Sequence, residues 1–174
     1  MIPFTSAVRS GLTWAKVPRT HNYELMLNNE SLGTLARPSC WSPRFLAETR
    51  NGRWAFRRAG FLGTGVEITD ADSEQLIASF KSSWGGGGTL IFTDGQRFYL
   101  EYKGWWHPVW TVTTGDGQHV LQLHTRDKTV ELCTSAAVPS IRLSLLTMFA
   151  WSRVLQADED ASAASVAAVV AVVG

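Results

Sequence analysis

Between Pro139 and Leu155 runs a segment that could not stand as an isolated helix in water. Its apolar set is Ile141, Leu143, Leu145, Leu146, Met148, Phe149, Ala150, Trp151, Val154 and Leu155, and it points in nearly every direction around a helical axis. Pro139 suits a first helical turn, with Ser140 beside it. On a helical wheel Arg142 and Arg153 share a sector with Leu145 and Phe149, so no clean polar face is left. A helix apolar almost all round needs protein on every side. It is expected over about residues 140–156, with Asp158, Glu159 and Asp160 marking its return to water.

Only strands are available to enclose it, because no helical period is clear before residue 139. Tyr23, Leu25 and Leu27 alternate with Glu24, Met26 and Asn28, and the chain turns at Asn28-Asn29 before Leu32 and Leu35. Phe45 to Thr49 reaches Asn51-Gly52, a hairpin pair that favours positive φ, and Trp54 and Phe56 then alternate with Arg53, Ala55 and Arg57. Val66 and Ile68 lead to a turn at Asp70 to Asp72, after which Leu76, Ala78 and Phe80 share a face. Leu90 and Phe92 precede Asp94-Gly95; Phe98, Leu100 and Tyr102 follow it. Val109–Thr113, His119–His124 and Thr129–Cys133 continue the alternation. Ten to twelve strands at roughly 8–12-residue spacing indicate a sandwich or barrel rather than βαβ units. A closed strand wall would surround the helix and also remove exposed sheet edges. The competing architecture is a lipocalin- or streptavidin-like barrel that holds a small ligand in its lumen, with the helix packed outside.

A chain of 174 residues can bury such a core as one domain. That domain is assigned to residues 1–160, with 161–174 as an apolar tail or short surface helix. Sixteen basic and fifteen acidic side chains leave a net charge of +1, so no global field draws nucleic acid. Met1 to Arg9 lacks a secretory pattern, and Cys40 and Cys133 carry no CxxC spacing, as expected of two thiols in a reducing compartment. Ala161 to Val173 would extend only about 20 Å as a helix, short of a hydrocarbon core of about 30 Å. The protein is therefore expected to be cytoplasmic, and not integral to a membrane.

Reactive constellations are absent from the sequence. Gly85-Gly86-Gly87-Gly88 lacks the Lys-Ser/Thr of a phosphate loop and precedes a strand, not a helix. His119 and His124 fall on opposite strand faces, and His21 and His107 belong to no ligand cluster. Asp70, Asp72, Asp94 and Asp116 lie in turns, where carboxylates are solvated. No catalytic residue, metal or cofactor is expected. Two surface features remain. Arg50, Arg53, Arg57 and Arg58 surround the Asn51-Gly52 hairpin, a candidate patch for an anionic lipid headgroup or a partner's carboxylates, with Arg58 on the opposite strand face from Arg53 and Arg57 unless a bulge intervenes. Trp54 and Phe56 point inward beside them, which removes a stacking platform for nucleic acid. Trp105-Trp106, between Gly104 and Pro108, is either a plug over a barrel end or an aromatic contact for a membrane or protein.

The stretches GRWAFRRAGFLGTGVEITDADSEQLIASF, GGTLIFTDGQRFYLEYKGWWHPVWTVTTGDGQHVLQL and SIRLSLLTMFAWSRVL together resemble the tubby C-terminal-like superfamily, which includes phospholipid scramblase and LURP-one-related domains. The resemblance spans roughly residues 10–157 and rests on strand rhythm, Asn-Gly and Asp-Gly turns and the terminal apolar helix. It implies a mainly β fold, a closed antiparallel barrel of twelve strands around a central hydrophobic C-terminal helix. The cysteine-rich palmitoylation stretch and proline-rich extension of scramblases are missing, as is a clear basic phosphoinositide motif. The expected function is that of a non-catalytic binding or structural domain for a protein or an anionic lipid surface. A small-ligand barrel is the alternative, followed by an enzyme of unknown class.

Overall fold

The structure, a computed structural model, describes residues 11–39, 42–60, 64–84, 87–104, 108–133 and 137–173, with side chains described as far as residue 163. Twelve strands follow in order: β1 Leu12–Lys16, β2 Tyr23–Leu27, β3 Glu30–Ala36, β4 Arg44–Thr49, β5 Gly52–Ala59, β6 Gly65–Asp70, β7 Leu76–Ser82, β8 Gly88–Phe92, β9 Arg97–Lys103, β10 Val109–Thr114, β11 His119–His124 and β12 Thr129–Leu132. Each pairs antiparallel with its neighbours in sequence. β1 also pairs with β12 through Leu12↔Val130 and Thr13↔Thr129, which closes the barrel. β1 is an addition to the strands read above. Its buried Leu12 and Trp14 flank an exposed Thr13, and without it the wall would have a gap between β2 and β12.

Closure requires coiling, and three register shifts supply it: in β2–β3, β6–β7 and β10–β11. The second overturns one expectation. Ala78 pairs with Ile68, but Leu76 pairs with Thr69, so Ile77 is the extra residue. A one-residue slip sends every later side chain to the other face. Leu76, expected beside Ala78 and Phe80 in the core, is instead half exposed.

The hairpins also divide. Asn28 and Asn29 both have positive φ, 48° and 66°, as a tight primed turn requires. At the next hairpin the corner lies one residue earlier than Asn51-Gly52. Thr49 pairs with Gly52, leaving Arg50 and Asn51 at the tip. Asn51 is thereby free to donate its side-chain amide to the Ser140 carbonyl, 3.3 Å away.

The lumen is filled. Helix α1, Ser140–Val173, enters at the end bearing the Asn28-Asn29, Arg50-Asn51 and Asp94-Gly95 turns and continues past residue 156 to Val173. Leu143, Leu145, Leu146, Met148, Phe149, Ala150 and Trp151 are all buried. Phe149 meets Phe56 and Phe80 edge-on, with ring centres at 5.6 and 5.2 Å. This leaves no open lumen for the lipocalin-like alternative. The helix's buried hydroxyls return to its own backbone, Thr147 to the Leu143 carbonyl at 2.8 Å and Ser152 to that of Phe149 at 2.6 Å. Such bonds let polar residues sit inside the wall without an unsatisfied group. Arg142 bonds Asp94 and Gln96 at the rim and covers the Phe92 ring at 4.7 Å. Gly33 of β3 makes the close approach of helix and wall feasible: a Cβ there would stand 2.1 Å from Met148 Cε and 2.7 Å from the Glu48 carbonyl oxygen.

Candidate functional site

Gln156 is buried and Ala157 is exposed, so the helix emerges between them. At that exit end, Tyr23 starts β2, Tyr102 lies near the end of β9, Trp110 follows the first residue of β10, and Thr125–Lys128 links β11 to β12. Tyr23, Tyr102, Trp110, Thr125, Arg126 and Lys128, together with Trp151, Val154, Leu155 and Asp158 of the emerging helix, border a hollow of about 620 Å³. Aromatic packing fixes its floor. Trp151 stacks on Trp14 with centroids 5.2 Å apart and planes within 7°, and Tyr23 meets Trp151 edge-on at 6.0 Å. Tyr102 leans on Trp110 at 5.1 Å. The Nε1 groups of Trp14 and Trp151 are buried without a hydrogen-bond partner among the described residues.

The rim sorts its charges. Glu159 is taken by Arg37 and Asp160 by Arg58, the latter at 2.9 Å. Arg126 and Lys128 on the hairpin wall, and Asp158 on the helix, make no side-chain hydrogen bond or ion pair among the described residues. Burial, reinforced by Asp158 and Glu159, pushes the Tyr23 phenol up, so it stays a protonated donor. Thr125 is already committed: its hydroxyl donates to the Pro108 carbonyl at 3.2 Å.

The arginines singled out in sequence are spread along β5 instead of gathered. Arg50 is exposed in the turn before β5, and Arg58 stands at the exit end, about 20 Å beyond Gly52 along the extended strand. Arg53 pairs with Asp72 at 2.6 Å and Glu48 at 3.8 Å, Arg57 with Glu67 at 2.7 Å, and half-buried Arg58 with Asp160. Arg58 thus reaches the helix, while Arg53 and Arg57 face solvent; Trp54 and Phe56 between them are buried. Arg44, opposite Arg57, borders a smaller surface hollow of about 170 Å³ with Glu74. Trp105 and Trp106 lie outside the described residues, as do Cys40 and His107.

Charge shifts run against catalysis. Hydrogen bonds from Ser73 hold Asp70 below the usual carboxylate range, Arg142 does the same for Asp94, and Thr114 for Asp116. A general acid needs the opposite shift. Burial and Glu131 push the Cys133 thiol up, whereas a nucleophilic cysteine needs it lowered. No group of three potential metal ligands occurs among the described residues, and no helix among them is long and apolar enough to cross a membrane.

A closed twelve-stranded antiparallel barrel around a helix matches the general tubby-like architecture. Comparison with protein-family models, with curated proteins and with solved structures finds no match.

Proposed function

We propose that this chain is a non-catalytic binding domain of the tubby-like type, in which the filled barrel is a scaffold and the exit-end hollow is the seat for a small ligand. The observation that carries this reading is the hollow itself: about 620 Å³, floored by Trp110 and Trp151, beside Arg126, Lys128 and Asp158, which make no side-chain hydrogen bond or ion pair among the described residues. Its volume falls in the range of small-molecule sites, roughly 300–1,000 Å³, and an aromatic floor beneath a rim of hydroxyls and charges can both hold and orient an occupant. The surface arginines support a binding role less well, since Arg53, Arg57 and Arg58 each have a carboxylate partner.

Titration with the neutral fluorophore N-phenyl-1-naphthylamine tests the seat. We expect saturable binding with one site per chain, abolished in Val154→Trp, where the indole would occupy the hollow. Circular dichroism and a cooperative melt establish that the variant is folded. Unsaturable fluorescence, or undiminished binding by folded Val154→Trp, overturns the reading.

A further inference from the structure

We propose that the exit-end hollow takes an amphipathic acid, a small molecule with an apolar body and one carboxylate held by Arg126 and Lys128. This rests on the reading of the hollow as a ligand seat and adds the ligand's chemistry.

Three observations combine. The floor, Trp110 and Trp151 with Val154 and Leu155, presents mostly carbon to an occupant, and the Trp151 Nε1 is buried. The charged groups stand on different elements of the border. Arg126 and Lys128 lie on the β11–β12 connection and Asp158 on the helix, so an occupant's charged end has one favourable side and one unfavourable side. Competition for the basic side is low. Of the three successive helix carboxylates only Asp158 borders the hollow; Glu159 and Asp160 are engaged by Arg37 and Arg58. Asp127 sits between the two cations in sequence but does not border the hollow.

The two cations would attract a carboxylate at the mouth, and Asp158 would repel it from the helix side, fixing which way round the molecule lies. Exposure of Arg126 and Lys128 makes this attraction sensitive to salt. Tyr23, protonated and also on the rim, can add a hydrogen bond from its hydroxyl.

The experiment displaces N-phenyl-1-naphthylamine with three probes of equal chain length: decanoate, decanol and decyltrimethylammonium, each below its aggregation concentration. Decanoate should displace at about one tenth the concentration needed for decyltrimethylammonium, a difference of about 1.4 kcal/mol. It should also act at a lower concentration than decanol. The double reversal Arg126→Glu/Lys128→Glu, on exposed turn positions, should weaken decanoate about tenfold and leave decanol within about twofold. Asp158→Asn should strengthen decanoate. Raising salt from about 0.01 M to about 0.15 M should weaken decanoate selectively. Equal displacement by all three probes, a preference for the cation, or a reversal that shifts decanol as much as decanoate overturns the proposal. In each of those results the fluorophore still reports the seat, so the ligand class fails while the seat stands. If the fluorophore never occupied the hollow, it is the seat that fails.

Discussion

Gly33→Ala probes the fit of helix and barrel directly. The φ at Gly33 is not positive, so only space is at issue. An added Cβ would come 2.1 Å from Met148 Cε, 2.7 Å from the Glu48 carbonyl oxygen and 2.7 Å from Thr49 Cγ2. The Met148 tip, completely buried in the packed lumen, and the carbonyl oxygen, fixed in the β3–β4 ladder, both resist the new methyl. Overpacking of this kind costs about 1–3 kcal/mol, offset by about 0.4–1 kcal/mol from a less flexible unfolded chain. The net expectation is a loss of about 0–2.6 kcal/mol, with a midpoint of about 1.3 kcal/mol that corresponds to roughly 3–5 °C in Tm for a chain of this size. Met148 is completely buried, and Met148→Ala alone should cost about 2–5 kcal/mol. In the double variant the missing thioether makes room for the new methyl. The two losses should therefore fall short of additivity by about 1 kcal/mol, beyond the roughly 0.3–0.5 kcal/mol expected of independent sites. Urea denaturation of the four proteins measures this, with a constant slope confirming that the unfolded state is unchanged. Additive losses would mean that Met148 does not face Gly33, and the central placement of the helix would fall with it.

Phe149→Ala should be among the most costly single changes, about 3–5 kcal/mol, because it empties the space between Phe56 and Phe80; a loss under about 1 kcal/mol in a urea titration would contradict the packing. Asp70, Asp94 and Asp116 all titrate below their ordinary value in the fold. Their contribution is therefore complete above the unfolded-state pKa of about 3.9 and is lost as pH falls through the lower folded values. Asp94→Asn should accordingly flatten the acid limb of a stability–pH curve; an unchanged limb would rule out the Arg142–Asp94 tie as its source. In liposome flotation, Arg53→Gln/Arg57→Gln combined with Asp72→Asn/Glu67→Gln, which removes both ion pairs at unchanged net charge, should leave any binding to anionic vesicles unaltered, since each arginine is matched by a carboxylate; clear loss would restore the outer β5 surface as a binding face.

Much of the architecture was legible because its signals are local. Alternation of Phe98 and Leu100 with Arg97 and Tyr99 is a period of two, and period two means a strand with one buried face. His119–His124 has the same bounds in sequence and in structure. The shift at Ile77 was not legible: a bulge depends on the coiling needed to close the whole barrel, and a single strand contains no record of that. Nor was the pairing of Arg58, because it meets Asp160 only once the helix has been threaded through the wall.

The sequence by itself determined that a helix apolar on nearly all sides must be enclosed, and that only a run of antiparallel strands could enclose it. Hydrophobic burial enforces both, since exposing Leu145, Met148 or Phe149 would forfeit about 1.5–3 kcal/mol each. Tertiary structure alone decided where the hollow lies. Tyr23, Tyr102, Trp110, Arg126, Lys128 and Trp151 carry no shared motif. They become neighbours because antiparallel strands bring alternate connections to one end of the barrel, the end where the helix emerges and the wall no longer closes around it.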